Sequence, residues 1–204
     1  MSDTSTHPAM GPLIVVAGPS GVGKTTLVNE VLRRGNIPLR RAITATSRAP
    51  RPGEIPGTDY HYLTVDEFQA AIQQGRLLEH AVVHGSDFYG TPLAEVVPHR
   101  QAGVGAVLII DVQGAATVRE LHPGDHVSVF VLPPTNEVLE ARLRSRSSED
   151  EATVQRRLAT ARAELAEAHA FDHRIVNDDL TTAAEALEAV IRDYTRTGSG
   201  HHAR

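Results

Sequence analysis

Two kinds of apolar pattern alternate along this 204-residue chain. Uninterrupted apolar runs, such as those at 13–17 and 106–110, are typical of strands that are buried on both faces of a parallel sheet. Between the runs, apolar residues recur every three or four positions, which indicates helices with one buried face. The predicted core strands are 13–17, 39–46, 106–111, 126–132 and 174–177, and the predicted core helices are 25–32, 93–101, 115–121 and 181–194. This alternation predicts an α/β fold in which about five parallel strands are wrapped by helices.

The alternation is interrupted at residues 47–92. The segment 47–59 contains three prolines, two glycines and two arginines, which is typical of a loop. After it we predict a short strand at 59–62, a helix at 65–74, a strand at 77–83 and a turn-rich segment at 85–92. Three of the four tyrosines of the chain, Tyr60, Tyr62 and Tyr89, lie in this insert. Their concentration favours an inserted α+β lobe with a pocket over a flexible linker.

A second peripheral unit is predicted after a helix that we expect to begin behind Thr135, a favourable N-cap. The polar segment 142–151 holds three arginines and leads into a long charged helix at 153–169. Arginines on a mobile helix can be brought onto phosphate groups, although a solvated helix face shows the same pattern. We therefore expect a core at 11–46, 93–142 and 170–196, a lobe at 47–92, a lid at 143–169, a disordered leader at 1–10 and a disordered tail at 197–204.

Composition and charge narrow the class of protein. The formal net charge of −5 argues against a general nucleic-acid-binding protein. The chain contains no cysteine, which excludes disulfides and thiolate chemistry. Because it contains no apolar run of membrane-spanning length and no apolar signal core near residue 1, we expect a cytoplasmic protein without a membrane partner. No obligate protein partner is implied.

The strongest chemical signal is the segment Gly18-Pro19-Ser20-Gly21-Val22-Gly23-Lys24-Thr25. It fits G-x-x-x-x-G-K-[ST], the phosphate-binding P-loop, and it lies between a predicted strand and a predicted helix. In such a loop the backbone N–H groups hold phosphate oxygens, Lys24 reaches the outer phosphates and the Thr25 hydroxyl can ligate Mg²⁺. Asp111 ends a buried strand, where an acid can orient the metal. The alternative is a glycine-rich turn that only opens a helix.

Further motifs resemble those of guanylate kinases, from about Leu13 to Tyr194. In addition to the P-loop, they are Ser47-Arg48-Ala49-Pro50-Arg51-Pro52-Gly53-Glu54, Gly57-Thr58-Asp59-Tyr60, Phe88-Tyr89-Gly90-Thr91, Asp111-Val112-Gln113-Gly114 and Ile175-Val176-Asn177-Asp178-Asp179. The resemblance implies a P-loop NTPase three-layer fold with an inserted α+β GMP-binding lobe and a helical lid. It also implies ATP-dependent phosphorylation of GMP or dGMP, with Mg²⁺ as cofactor and ATP as co-substrate.

The family pattern assigns roles to individual residues. The residues implied to bind GMP are Thr44, Arg48, Arg51, Tyr60, Glu79, Tyr89, Thr91 and Asp111. Those implied to bind ATP are Gly18, Pro19, Ser20, Gly21, Val22, Gly23, Lys24, Thr25, Thr26 and Asn177. The implied catalytic residues are Lys24, Arg48, Arg142, Arg146 and Arg157, and the implied metal contacts are Thr25 and Asp111.

The residue types suit these roles. Arginine forks and tyrosine hydroxyls match the oxygens of a dianionic phosphate. Guanine presents its N1–H and N2–H₂ groups as donors, and a carboxylate such as Glu79 can accept from both. Adenine would instead place a lone pair against the carboxylate, and a site built on such hydrogen bonds rejects the wrong base strongly. An acid on an edge strand is the alternative explanation of Glu79.

The chain departs from the family pattern at three places. Ile109 stands where the family has an acid near the magnesium waters, and Ser145 and Ser147 flank Arg146 where the family has glycines. The segment 85–88 looks one residue longer than usual. Two other functions therefore stay open: a nucleotide kinase with a different acceptor, and a non-catalytic guanylate-kinase-like module that recognises phosphopeptides. The complete P-loop and the complete arginine-containing loop at 47–59 favour the kinase that acts on GMP.

Overall fold

The computed structural model describes residues 10–83, 87–145 and 151–197. The strands in these ranges are β1 (Leu13–Ala17), β2 (Leu39–Arg41), β3 (Ala45–Thr46), β4 (His61–Tyr62), β5 (Leu77–Val83), β6 (Asp87–Pro92), β7 (Gly105–Ile109), β8 (Val127–Leu132) and β9 (His173–Val176). The helices are α1 (Lys24–Arg34), α2 (Val65–Gln73), α3 (Val97–Gln101), α4 (Val112–Leu121), α5 (Asn136–Ser145), α6 (Glu151–Ala166) and α7 (Leu180–Thr197). No helix in the described ranges has the length and apolar character needed to cross a bilayer. The predicted leader and tail lie outside these ranges, apart from Met10 and Thr197.

A five-stranded parallel sheet with the order β2-β7-β1-β8-β9 forms the centre of the fold. All side chains of β1 are fully buried, and they alternate between the two faces of the sheet. Ile14 and Val16 pack into a cluster with apolar residues of α1 and α7, whereas Leu13 and Val15 pack into a second cluster with residues of α4. Helices therefore cover both faces, which confirms the predicted α/β fold.

The carboxyl ends of β1 and β7 meet at one edge of this sheet, where Val16 lies opposite Ile109. The P-loop follows β1, and Asp111 follows β7 by two residues. In an open parallel sheet this edge is the one at which ligands bind. The strand pairing thus brings the two strongest chemical motifs of the sequence to the same place.

A second sheet, with the order β4-β3-β6-β5, lies in the inserted lobe. Its β3 strand pairs in parallel with β4 and antiparallel with β6, and β5 and β6 form an antiparallel pair. Phe68 of α2 is fully buried and stacks against Phe88 of β6, with 5.4 Å between the ring centroids. Thr64 and Glu67 form a capping box that fixes the start of α2. The lobe therefore has its own small core.

The single strand predicted at 39–46 is wrong, because the chain changes sheets within it. The N–H of Ala42 still donates to Val107 of the central sheet, whereas the carbonyl of Thr44 accepts from His61 of the lobe. Residues 39–41 and 45–46 are consequently separate strands in separate sheets. Apolar pattern alone does not reveal such a change of partner, because both parts are extended strand.

Two other local predictions are also corrected. The turn-rich segment predicted at 85–92 is a strand from Asp87, and its pairing with β5 overrides the turn-forming residues Gly90 and Pro92. The helix predicted at 93–101 is a 3₁₀ helix at Leu93–Glu95 followed by the five-residue α3. Pro98 lies in the first turn of α3, where a helix tolerates its missing N–H. In the middle of a helix that ran from 93 to 101, the same proline would remove a backbone hydrogen bond and break the helix.

Candidate active site

The P-loop begins where β1 ends and closes on the first turn of α1. Gly23 is the N-cap of α1 and has a φ of 97°, a left-handed conformation that favours glycine. A Cβ atom on Gly23 would come within 2.5 Å of Nδ2 of Asn177, so the close packing also requires glycine. Because Gly23 has no side chain to cap the helix, the N–H groups of the first turn remain oriented for an anion.

Lys24 folds back over the loop. Its Nζ atom donates to the carbonyl oxygens of Gly18 and Pro19. Behind the loop, Nδ2 of Asn177 donates to the carbonyl of Val22 at 2.8 Å, and the guanidinium of Arg142 donates to the same carbonyl at 3.3 Å. These contacts hold the loop in shape around an open anion-binding surface.

A pocket of about 360 Å³ joins the P-loop to the inserted lobe. The predicted site residues that line it are Gly18, Ser20, Gly21, Gly23, Lys24, Thr25, Thr26, Thr44, Arg51, Tyr60, Glu79, Tyr89 and Asp111. The structure therefore brings together the residues implied for ATP, for GMP and for the metal. A pocket of this size with a few converging polar groups is typical of a ligand site.

The other predicted residues lie around this pocket rather than on its wall. Arg48 donates a hydrogen bond to Tyr89, and Thr91 donates one to Glu79. Both acceptors line the pocket. Pro19 and Val22 belong to the P-loop, whereas Asn177 and Arg142 brace the loop through hydrogen bonds to the carbonyl of Val22. Arg157 lies on α6, the helix that sends Glu164 into the pocket. Arg146 lies outside the described residues, as do the residues of the segment 84–86.

Glu79 is the most deeply buried acid of the pocket, with 3% of its surface exposed. Oγ1 of Thr91 donates to its Oε1 at 2.7 Å, and a Cβ atom on Gly114 would come within 2.6 Å of its Oε2. Burial raises the pKa of Glu79 to about 7, and the charge of Asp111 contributes further to the increase. The lobe thus presents a carboxyl group whose protonation changes near neutral pH.

A second acid, Glu54, organises the loop at 47–59 that carries Arg48 and Arg51, here called the arginine loop. Its carboxylate accepts hydrogen bonds from Nη1 and Nη2 of Arg48, both at 2.9 Å, and from the backbone N–H of Arg51 at 2.7 Å. Arg48 also donates from Nε to the hydroxyl of Tyr89 at 3.0 Å. The Arg48 fork holds the pKa of Glu54 at about 2, well below its usual range. Arg48 and Arg51 are consequently held close together beside the tyrosines.

Asp111 has a structural role as well as a place on the pocket wall. It is the N-cap of α4, and its Oδ1 accepts from the N–H of Gly114 at 2.7 Å. The described residues contain no group of three or more histidine, cysteine or acidic side chains that could hold a metal ion. Any metal at this edge would therefore take part of its coordination from a bound ligand.

Sequence reasoning gave no individual role to two residues of the site, Glu54 and Glu164. Glu164 lines the pocket from α6, and burial raises the pKa of its carboxyl group, with Lys24 opposing and Asp111 supporting the shift. Its position in a charged helix offered no local signal, because such a helix is usually solvated. Glu54 stood in a quoted motif, but only the fold shows which arginine it holds.

Comparison with known proteins agrees with this geometry. The profile of the family described as guanylate kinase matches residues 10–194. The guanylate kinase of Thermosynechococcus vestitus is 46% identical over 188 residues, covering 92% of this chain and 97% of that protein. The guanylate kinase of Corynebacterium glutamicum is 44% identical over 184 residues, covering 89% and 95%. The crystal structure of a guanylate kinase from Anaplasma phagocytophilum matches with a TM-score of 0.75 and 31% identity, covering 91% and 87%. The chain, with its P-loop facing a lobe built around a buried glutamate, belongs to the guanylate kinase family of enzymes.

Proposed function

We propose that the protein transfers the γ-phosphoryl group of ATP to GMP or dGMP in the presence of Mg²⁺. The observation that carries the proposal is a single pocket with the P-loop on one side and the buried Glu79 on the other. The family membership and the names of the relatives support a kinase that acts on GMP. The residue roles below follow from the chemistry of the pocket walls.

The lobe is suited to bind GMP. When ionised, Glu79 accepts hydrogen bonds from N1–H and N2–H₂ of guanine, with Thr44 and Thr91 close by. The guanidinium of Arg51 and the hydroxyls of Tyr60 and Tyr89 suit the phosphate, because they are donors that match its oxygens. Adenine lacks the two donors, so it would leave the buried Glu79 without partners.

The core is suited to bind ATP with a magnesium ion. Gly21, Gly23 and Thr25 line the place for the phosphates, and Lys24 can move from its loop carbonyls to a phosphate oxygen. The Thr25 hydroxyl and Asp111 fit Mg²⁺, which prefers oxygen ligands and is usually held by one or two protein groups together with phosphates. When bound, the ion neutralises charge that develops on the phosphates.

No protein nucleophile is required for the transfer. The P-loop and the lobe hold donor and acceptor phosphates in line, and Lys24 and the arginines offset their negative charge. Arg157 belongs to α6, so it can approach the phosphates when this helix closes on the pocket. Closure would also exclude water, which would otherwise compete with GMP for the phosphoryl group.

The direct test is ADP release by the purified protein with Mg-ATP and GMP, dGMP, AMP, CMP or UMP. We expect rapid release with GMP and dGMP alone. Release with another acceptor only would support the kinase of altered specificity. Absence of release together with absence of measurable ATP affinity would support the binding module. Lys24→Ala serves as the control, because it should reduce turnover by several orders of magnitude while the protein stays folded.

A further inference from the structure

An acid of the predicted lid enters the phosphate pocket in this structure. Glu164 lies near the end of α6 and lines the same pocket as Lys24, Thr25 and Asp111. Its Oε2 atom is buried and has no hydrogen-bond partner among the described residues. A buried carboxylate oxygen without a partner costs free energy, so a partner is expected in the working state of the site.

The surroundings of Glu164 show which partner is missing. Burial and the charge of Asp111 disfavour the charged form of Glu164 and raise its pKa, whereas the ammonium group of Lys24 and the backbone N–H of Ser20 favour the charged form. Ile109, the last residue of β7, lines the same pocket and offers no polar group. One oxygen of Asp111 already accepts from the N–H of Gly114. This edge of the sheet therefore offers few carboxylate oxygens, and Glu164 of α6 adds a carboxyl group to the same pocket.

Binding of ATP would bring negatively charged phosphate oxygens close to the carboxylate of Glu164. A carboxylate and phosphate oxygens in one pocket repel each other unless a cation or its hydration shell lies between them. Mg²⁺ usually keeps several of its waters, and each water can donate to a carboxylate oxygen. A water held by the ion therefore satisfies the unpartnered oxygen and removes the repulsion at the same time.

We propose that Glu164 is a positioning residue that accepts hydrogen bonds from waters of the ATP-bound magnesium ion, and so supplies from α6 the carboxylate that Ile109 does not supply from β7. The inference rests on the proposed function and extends it to the metal. Arg157 lies two helical turns before Glu164 on the same helix. A single element would then place both the metal waters and an arginine.

The test is the affinity of Mn²⁺, as a spectroscopic probe of the magnesium site, for the protein with the β,γ-imido analogue of ATP. Electron paramagnetic resonance of free Mn²⁺ gives its dissociation constant. Glu164→Gln keeps the shape of the side chain and removes its charge. We expect the constant to rise about 10- to 100-fold, as for other residues that hydrogen-bond to the ligands of a metal ion. The Mg²⁺ concentration for half-maximal ADP formation should rise by the same factor.

Glu167→Gln is the matched control, because Glu167 is an exposed acid just beyond the end of α6. It should leave the Mn²⁺ affinity unchanged. If Glu164→Gln also binds Mn²⁺ as tightly as the unaltered protein, the proposal is wrong, even if the variant melts at a lower temperature. That result would make Glu164 an anchor of α6 only.

A second variant tests the link to β7. Ile109→Asp in the Glu164→Gln background should recover about tenfold or more of the lost Mn²⁺ affinity, because a carboxylate returns to the pocket from the other side. A folded double variant without recovery would contradict the exchange of roles between these two positions. The titration contains no GMP, so failure of the proposed acceptor would appear in the ADP-release assay alone.

Discussion

Glu79 illustrates how burial changes the chemistry of one residue. An exposed glutamate is ionised throughout the neutral range, but the surroundings of Glu79 raise its pKa to about 7. Thr91 holds one of its oxygens, and Gly114 leaves room for the other, because any larger residue would collide with it. A carboxyl group in this setting is costly to ionise unless a ligand supplies donors, which favours selective recognition of guanine.

Replacement of this residue gives the first prediction. Glu79→Gln replaces one acceptor oxygen by an NH₂ group that faces the donors of guanine. We expect KM for GMP to increase about a hundredfold, since hydrogen bonds to charged groups contribute about 1.5–3 kcal/mol each. KM for ATP, measured in the same coupled assay, should change less than about threefold. Equal increases in both constants would contradict the assignment of Glu79 to guanine.

The raised pKa gives a pH-dependent prediction. Below pH 7 the free protein holds a protonated Glu79, and GMP binding must release that proton. KM for GMP should therefore increase as the pH falls below 7, approaching about tenfold per unit. The phosphate of GMP titrates near pH 6, and Glu79→Gln separates the two effects because it abolishes only the break near 7. An unchanged profile in this variant would exclude titration of Glu79 as the cause.

At the scale of elements, the turn from β1 into α1 combines a special backbone conformation with close packing. Gly23 and Gly35 mark the two ends of α1, and both have positive φ angles, 97° and 65°. Only Gly23 is also crowded, by the amide of Asn177, whereas nothing lies within 4 Å of a Cβ on Gly35. Both positions have a positive φ that would strain any other residue, but only Gly23 has close neighbours.

Alanine at each position separates these effects. Gly35→Ala should cost about 1–2 kcal/mol of unfolding free energy, from strain alone, with ATP affinity unchanged. Gly23→Ala should carry the same strain, displace Asn177 and weaken ATP binding by about tenfold or more, because the loop N–H groups lose their alignment. Urea unfolding and ATP titration measure the two quantities. Normal ATP affinity in Gly23→Ala would show that the crowding is absorbed without moving the loop.

At the scale of the whole molecule, a buried arginine ties distant parts of the chain together. Nε of Arg100, on α3, donates to the carbonyl of Gly11 before β1 at 2.7 Å. Its other nitrogens donate to both oxygens of Asp125, before β8, at 2.7 and 2.8 Å. Each of these three segments leads into a strand of the central sheet, so all three lie at the amino ends of the strands. The pocket lies at the carboxyl ends, and Arg100 thus joins the segments on the side of the sheet away from the pocket.

Removal of this junction should affect stability and leave catalysis intact. Arg100→Met keeps the apolar stem and leaves the carbonyl of Gly11 and the Asp125 carboxylate without these donors. We expect about 2 kcal/mol lower unfolding free energy, because the charged hydrogen bonds of a buried guanidinium to Gly11 and to the half-exposed Asp125 are lost. Arg33→Met removes an exposed guanidinium that pairs with Glu30 at the surface, and it should lower the unfolding free energy by much less. Urea titrations of the two variants give the comparison, and equal losses would contradict it.

Local sequence was sufficient to predict much of the core and the kind of chemistry. The P-loop, its flanking strand and helix, and Asp111 at a strand end depend on residues that are neighbours in the chain. Buried parallel strands can also be predicted from uninterrupted apolar runs in the sequence. The resemblance to a family then connected Glu79 and the arginine loop to GMP. The assignment of individual roles to these residues stays a prediction.

The folded chain decided the rest, because it depends on partners that are distant in sequence. The pairing of β3 and β6 converted one end of a predicted core strand, and a predicted turn region, into a second sheet. The raised pKa of Glu79 comes from burial between segments. Glu164 lines the pocket with the P-loop because apolar residues of α6 pack into the same core cluster as residues of β1 and β8. Spacing along a chain specifies which residues share a face, whereas the environment of a buried charge exists only after the elements have come together.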